Sequence, residues 1–261
     1  MTKIRRIIAA FLVAWGMISD YTLPRSIISH FRMQIPTKLV LFCFPLTGVA
    51  AGVIASIPAL FVSLLFNRLA GALVFTFCGA LLLFFRDSGR GLALLASYIN
   101  ARMTGVPPAI AFQRCDSSLA NVLRNPVVML FTGIGIMLIL GMLFALFYRG
   151  AALWLAAVCG ADAMVQARLC LESDRNSKLP FIQGGAKGHN ALAVSSVILA
   201  VLLLLIFRKI AALGVFVVLW VWFWRELPGA EEFRDGLSPD WITLSGFWAA
   251  LITLLCGMGL L

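Results

Sequence analysis

The sequence predicts an all-α fold: a polytopic membrane helix bundle of about seven transmembrane helices, with a long cytoplasmic loop between the second and third. Hydrophobic residues make up 62% of the 261 residues, charged residues make up 12%, and the mean hydropathy is +1.00. A water-soluble domain carries about a quarter charged residues. The apolar residues are also collected into runs long enough to cross a bilayer. We therefore expect one integral membrane domain over residues 1–261.

Seven spans follow from the need for about 17 to 25 apolar residues per membrane helix. They are Leu39–Phe66, Leu69–Phe85, Val127–Tyr148, Ala151–Arg168, Ala191–Phe207, Ile210–Trp224 and Trp241–Leu261. Pro45 and Pro58 interrupt the first run, which predicts a kink or a later start. Short connections at Asn67-Arg68, Arg149-Gly150 and Arg208-Lys209 predict three helical hairpins.

Two segments outside these spans have a predicted structure. Residues 1–38 form an N-terminal interfacial helix and a turn, because Ile7 to Ile18 lacks a small-x-small cleavage site for a signal peptidase. Residues 86–126 form the cytoplasmic loop, with five arginines and two aspartates. Leu92 to Ile99 is a helix-like apolar piece within it, typical of a re-entrant or a surface segment. A loop this long is commonly functional or disordered.

The distribution of basic residues predicts the orientation. If the N-terminus is cytoplasmic, the inside segments hold 17 of the 21 lysines and arginines. The other face holds Arg68, Arg149, Arg208 and Lys209. By the positive-inside rule this asymmetry orients the bundle. It also accounts for the net charge of +10, so no nucleic-acid partner is expected; the bilayer is the expected partner.

The spacing of the cysteines and histidines argues against a zinc site, a disulfide framework and a metal site built on histidine. The six cysteines include no C-x-x-C pair, which argues against a zinc site or a disulfide framework. His30 and His189 have no second histidine or cysteine at ligand spacing.

Three aspartates are candidates for chemistry. Asp162 lies within the fourth span, where a carboxylate is costly and marks a functional site; the alternative is a carboxylate near the cytoplasmic end, solvated or paired with Arg168. Asp87 and Asp116 flank the long loop and could hold Mg²⁺ with substrate phosphates. Helix capping is the competing interpretation, since Asp116 and two serines precede a helical pattern.

Two polar segments have weaker signals. Gln183–His189 is a glycine-rich turn whose Lys187 suits a phosphate, but it lacks the P-loop spacing, and a plain connector explains it equally well. Glu226–Asp240 carries several carboxylates beside Arg225 and Arg234, and a solvated loop is the preferred interpretation.

The run Phe44-Pro45-Leu46-Thr47-Gly48-Val49-Ala50-Ala51-Gly52 resembles the start of the cobalamin synthase family, the adenosylcobinamide-GDP ribazoletransferases. The order of features is similar across nearly the whole chain. Asp116-Ser117-Ser118-Leu119 looks like the family's Asp-Ser-x-Leu-Gly segment, with Ala120 where glycine is usual. Asp240-Trp241-Ile242-Thr243 is a weak match to a late Gly-Asp motif. The acidic signature departs: Gly91 and Leu94 stand where two further aspartates would follow Asp87.

The resemblance implies a bacterial inner-membrane, multi-pass transferase with a cytoplasmic N-terminus. It would join adenosylcobinamide-GDP to alpha-ribazole, or its 5′-phosphate, and release GMP. Asp87 and Asp116 would be catalytic, and Asp162 would join them in holding Mg²⁺. The phosphate-binding residues would be Arg86, Arg90, Arg114 and Lys187. Homo-oligomerisation stays open, as do two rival functions: a catalytically degenerate paralogue that binds a corrinoid or a partner, and an unrelated membrane transporter or scaffold.

Overall fold

The computed structural model describes residues 3–18, 37–85, 89–106, 111, 118–172 and 239–260. Every regular element in those ranges is a helix, which confirms the all-α prediction. In chain order they are α1 (Lys3–Ile18), α2 (Thr37–Leu65), α3 (Arg68–Phe85), α4 (Arg90–Met103), α5 (Leu119–Arg124), α6 (Pro126–Tyr148), α7 (Trp154–Glu172) and α8 (Pro239–Leu260).

Five of the seven predicted spans correspond to helices α2, α3, α6, α7 and α8. The predicted spans Ala191–Phe207 and Ile210–Trp224 lie outside the described residues. Helix α2 contains both Pro45 and Pro58, so a start delayed beyond Pro45 is wrong. Two helices, over Leu39–Leu65 and Pro126–Tyr148, are long and apolar enough to cross a membrane, judged by length and composition.

Helix α7 lies at the centre of the described bundle. Every side chain from Trp154 to Val165 is buried, and the helix packs mainly against α2 and α8. One hydrophobic core connects α2, α3, α4, α6, α7 and α8. Because α7 is enclosed, it needs apolar or small residues on all sides, and alanines and a glycine supply many of them.

Neighbouring long helices run antiparallel. Phe75 of α3 meets Phe147 of α6 with ring centroids 5.3 Å apart, while Gly79 faces Leu143. Trp154, at the start of α7, meets Thr253 near the end of α8. The connections Asn67-Arg68 and Arg149-Gly150, which the sequence predicted to be tight, therefore lie at the same end of the bundle as the end of α8.

Small residues allow α2 to approach α7 closely. A Cβ atom at Gly52 would lie 2.6 Å from the Cα and backbone nitrogen of Ala156. One turn later the Ser56 hydroxyl donates to the Gly52 carbonyl at 2.8 Å and lies 3.1 Å from the Ala152 carbonyl. The spacing of four residues puts these small side chains on one helix face, as in close-packed membrane helix pairs.

Helix α4 belongs to the interior. Residues Gly91 to Ser97 are all buried, and the helix packs against α6 and α8. Leu92 occupies the space above Gly135 of α6, where a Cβ would lie 2.8 Å from a Leu92 methyl group. The sequence prediction of a helix over Leu92–Ile99 is confirmed, and its buried position excludes a simple surface helix.

Helix α1 packs against α2 through small residues. Ala10 and Ala14 are fully buried beside Leu41 and Phe44. The predicted N-terminal helix over residues 7–18 is thus present from Lys3 onward. The predicted turn after it lies outside the described residues.

Candidate functional site

Asp162 lies in the enclosed part of helix α7 with only 6% of its surface exposed. It is two turns beyond Trp154 and is surrounded along the helix by Ala161 and Ala163, both of which are buried. A carboxylate in such a place loses its hydration and needs hydrogen-bond donors from the protein. Asp162 thus lies within α7, the helix that covers the predicted fourth span, and it is buried there.

Gln166 supplies one of those donors. Its side-chain nitrogen Nε2 donates to Oδ1 of Asp162 at 2.7 Å. The two residues are four apart on the same helix, so their side chains lie one above the other on one face. The sequence predicted Arg168 as the competing partner, but the side chain of Arg168 lies outside the described residues.

Helix α8 covers this polar pair with a glycine. A Cβ at Gly246 would collide with Oδ1 of Asp162 and would lie 2.7 Å from Cγ of Gln166. Gly246 is therefore required by the close approach of α8 to the two polar side chains. Ser245, its neighbour, is also buried, with 8% of its surface exposed.

The motif that carries the family resemblance contacts the same stretch of α7. A Cβ at Gly48 would collide with the backbone carbonyl of Cys159 and would lie 2.9 Å from Cβ of Ala163. Cys159 and Ala163 flank Asp162 along α7. Gly48 and Gly246, from distant parts of the chain, thus both lie against the stretch of α7 between Cys159 and Gln166.

The hydroxyl groups near this junction are satisfied locally. Thr47 donates to the Phe44 carbonyl at 2.7 Å, and Thr253 donates to the Ala249 carbonyl at 2.7 Å. Bonds of this kind allow a hydroxyl to be buried in a helix without a partner from another element. Thr47, although part of the resemblance motif, is therefore occupied with its own helix.

Arg90 is the one predicted phosphate-binding residue that the structure describes. It is exposed at the first position of α4. Gly89, directly before it, has a φ of 75°, which lies in the left-handed region that glycine adopts without strain. A guanidinium there adds to the positive end of the helix dipole, an arrangement that suits an anion. Arg86, Arg114 and Lys187 lie outside the described residues.

The predicted metal site is only partly represented. Asp87 and Asp116 lie outside the described residues, which contain no group of three or more histidine, cysteine, aspartate or glutamate side chains that could hold a metal ion. Asp162 is the one predicted metal ligand that the structure describes, and its Oδ1 accepts from Gln166. Mg²⁺ binding therefore stays a prediction from the resemblance.

Sequence reasoning missed Gln166 and Gly246. Gln166 could have been found from its position four residues after an intramembrane aspartate, because that spacing brings the two side chains together. Gly246 left no such signal, since its role depends on how α8 approaches α7.

Comparison of the chain with protein-family models, curated proteins and solved structures finds no significant match.

Proposed function

We propose that this chain is a multi-pass protein of the bacterial inner membrane with about seven spans and a cytoplasmic N-terminus. We further propose that it joins adenosylcobinamide-GDP to alpha-ribazole, or its 5′-phosphate, with release of GMP. The observation that carries the proposal is the contact of Gly48 with the Asp162-bearing helix. It brings the first segment of the resemblance against the helix that carries Asp162, the one buried carboxylate among the described residues.

The exposed apolar side chains support a location in the membrane. Leu64 and Phe66, at the end of α2, have 86% and 76% of their surfaces exposed, and Met137, on α6, has 73% exposed. Such exposure is unfavourable in water at about 25 cal/mol per Å² of apolar surface, but costs nothing among lipid chains.

The direction of the helices supports the span count. Helix α7 ends, and α8 begins, at the same end of the bundle, because the two helices are antiparallel. In the proposed bundle Glu172 and Pro239 therefore lie on the same side of the membrane, and an even number of spans is proposed between them. The two predicted spans in that stretch, Ala191–Phe207 and Ile210–Trp224, agree with this requirement.

The proposed chemistry is phosphoryl transfer, in which positioning and charge neutralisation supply most of the rate. Arginine matches phosphate oxygens with two parallel N–H donors, so Arg86, Arg90 and Arg114 are proposed to hold the phosphates of the activated substrate. Asp87 and Asp116 are the proposed catalytic carboxylates.

A second candidate function, the catalytically degenerate paralogue, is favoured by how Asp162 is enclosed. Its Oδ1 accepts from Gln166 and lies against Gly246, so this oxygen already has contacts within the helix pair. A carboxylate used in this way stabilises the α7–α8 contact and leaves substrate binding to other residues.

An activity assay distinguishes the two candidates. Purified protein in detergent or nanodiscs, given adenosylcobinamide-GDP, alpha-ribazole and millimolar Mg²⁺, is expected to release GMP slowly. Asp87→Ala is expected to abolish release, while Asp162→Asn, which keeps the shape of the side chain, is the informative comparison. Loss of release in Asp162→Asn with unchanged thermal stability assigns Asp162 to the reaction.

The contrary results are equally specific. Unchanged turnover in Asp87→Ala removes that residue from the site. Corrinoid binding without GMP release in the parent protein establishes the degenerate paralogue. A parent protein that shows neither corrinoid binding nor GMP release would reject the resemblance altogether. The transporter or scaffold would then remain.

A further inference from the structure

Two arginines from distant parts of the chain lie at one end of the bundle. Arg68 begins α3, directly after the α2–α3 turn, and Arg149 lies in the α6–α7 turn. The guanidinium of Arg68 reaches the second turn, where Nη2 lies 3.6 Å from the position of a Cβ at Gly150. The two basic groups therefore belong to one surface, which we call the turn-end surface: residues 66–69, 148–153 and 255–260.

Each arginine is held by a neighbouring helix end. The carbon Cζ of Arg68 lies 5.3 Å from the centroid of the Tyr148 ring, within the range of a cation–π contact. Nη1 of Arg149 donates to the carbonyl of Met258 at 2.6 Å, which ties the turn to the last turn of α8. These contacts restrict both side chains while leaving further N–H groups of each guanidinium, which has five in all, to bond a ligand.

The turn-end surface carries no neutralising charge among the described residues. Its three segments contain arginine but neither aspartate nor glutamate. Two guanidinium groups on one surface without a carboxylate repel each other, and the repulsion grows where the surroundings are poor in water. An anion bound at this surface would offset this cost.

The surroundings identify the kind of anion. Phe66 and Tyr148 are exposed by 76% and 52%, and Leu69 by 54%. Exposed aromatic side chains beside arginines, at the end of apolar helices, are typical of the headgroup level of a bilayer. A ligand at this level would present its phosphate to the arginines and its acyl chains to the apolar helix surfaces below.

We propose that the turn-end surface binds the phosphodiester group of an anionic phospholipid through Arg68 and Arg149. The inference rests on the membrane location proposed above, but not on the transferase activity. Arginine pairs favour phosphate because the planar guanidinium offers two parallel donors to its oxygens. Zwitterionic lipids carry the same phosphate beside a choline cation, which the two guanidinium groups repel.

Lipid-dependent thermal stability tests the proposal. Full-length protein in a neutral detergent is titrated with phosphatidylglycerol or with phosphatidylcholine, and the midpoint of unfolding is followed. Phosphatidylglycerol is expected to raise the midpoint at low concentration, and phosphatidylcholine is expected to have little effect. In the variant R68Q/R149Q the phosphatidylglycerol concentration required should rise about tenfold, the consequence of losing charge-assisted hydrogen bonds.

A control variant separates the loss of lipid binding from a folding defect. Arg102→Gln removes an exposed arginine that also donates to a carbonyl, that of Val106 at 2.8 Å. It lies at the other end of the bundle, because α4 runs antiparallel to α6, with Leu92 against Gly135 and Ala96 packed with Val128. It should respond to phosphatidylglycerol as the parent does. The readout is the lipid-induced shift, so a lower starting midpoint in the double variant does not obscure it.

Three results would overturn the proposal. One is an equal response of the parent to both lipids, and another is an unchanged phosphatidylglycerol response in R68Q/R149Q. The third is full competition by inorganic phosphate at millimolar concentration, which would identify a soluble phosphate as the ligand. The GMP assay is separate, so its failure leaves this test intact.

Discussion

Gly246 of α8 lies directly against the carboxylate of Asp162 of α7, so that any Cβ at position 246 would overlap Oδ1. The polar pair in the central helix and the glycine in its neighbour therefore depend on each other.

Gly246→Ala is expected to destabilise the protein by about 1–2 kcal/mol, because the added methyl group displaces Asp162 and Gln166 from their hydrogen-bonded arrangement. The free energy of unfolding, measured by denaturant titration in micelles, checks this. Gly141→Ala is the control: nothing lies within 4 Å of a Cβ there, and the exposed position should be neutral or slightly stabilised. Equal effects of the two substitutions would contradict the assigned contact.

Gly52→Ala is expected to cost more, about 3 kcal/mol, because the obstacle is backbone. The added carbon would lie 2.6 Å from the backbone nitrogen and Cα of Ala156, and these atoms cannot move without shifting α7. The same titration measures the loss, with Gly133→Ala as the matched exposed glycine. A smaller cost for Gly52→Ala than for Gly246→Ala would show that α2 can move away from α7 more easily than the packing indicates.

Trp154→Phe should destabilise the protein by about 1 kcal/mol, because the indole Nε1 donates to the Thr253 carbonyl at 2.9 Å and phenylalanine cannot. The carbonyl would be left buried without this donor. Trp248→Phe, which changes a half-buried tryptophan on α8, is the comparison. If both variants lose the same stability, the hydrogen bond contributes nothing beyond the change in side-chain volume.

Single cysteines at Met103 and Phe66 should be labelled from opposite sides of the membrane. Both side chains are exposed, at 68% and 76%. They lie at opposite ends of the bundle, because Met103 ends α4, which runs antiparallel to α6, and Phe66 lies in the α2–α3 turn. In a background with all six native cysteines replaced, an impermeant maleimide should reach Phe66→Cys in intact cells. It should reach Met103→Cys only after the membrane is opened, as the positive-inside rule requires.

Labelling of both positions from one side would contradict the bundle as a spanning structure. Labelling of Met103→Cys alone in intact cells would show that the bundle has the opposite orientation in the membrane. In either case, the contacts within the bundle would be unaffected, and only its placement in the membrane would change.

The sequence determined the helices of this protein because, in the proposed membrane location, long apolar runs leave the backbone little choice but to bond within itself. Helix α6 begins at a sequence typical of helix starts. Asn125 accepts from the N–H groups of Val127 and Val128, and Pro126 occupies the first helical position. The long Thr37–Leu65 helix was less certain from the sequence. Its two internal prolines do not end it in the folded chain.

Only the tertiary structure decided which polar residue meets which helix. Gly246 faces Asp162, and Arg68 reaches Gly150, across separations of about eighty residues in the chain. Such pairings depend on the rotation of each helix about its axis and on the order in which helices pack. A helix whose surface is apolar on every side, such as α6, specifies neither, because periodicity carries no signal when all faces are alike.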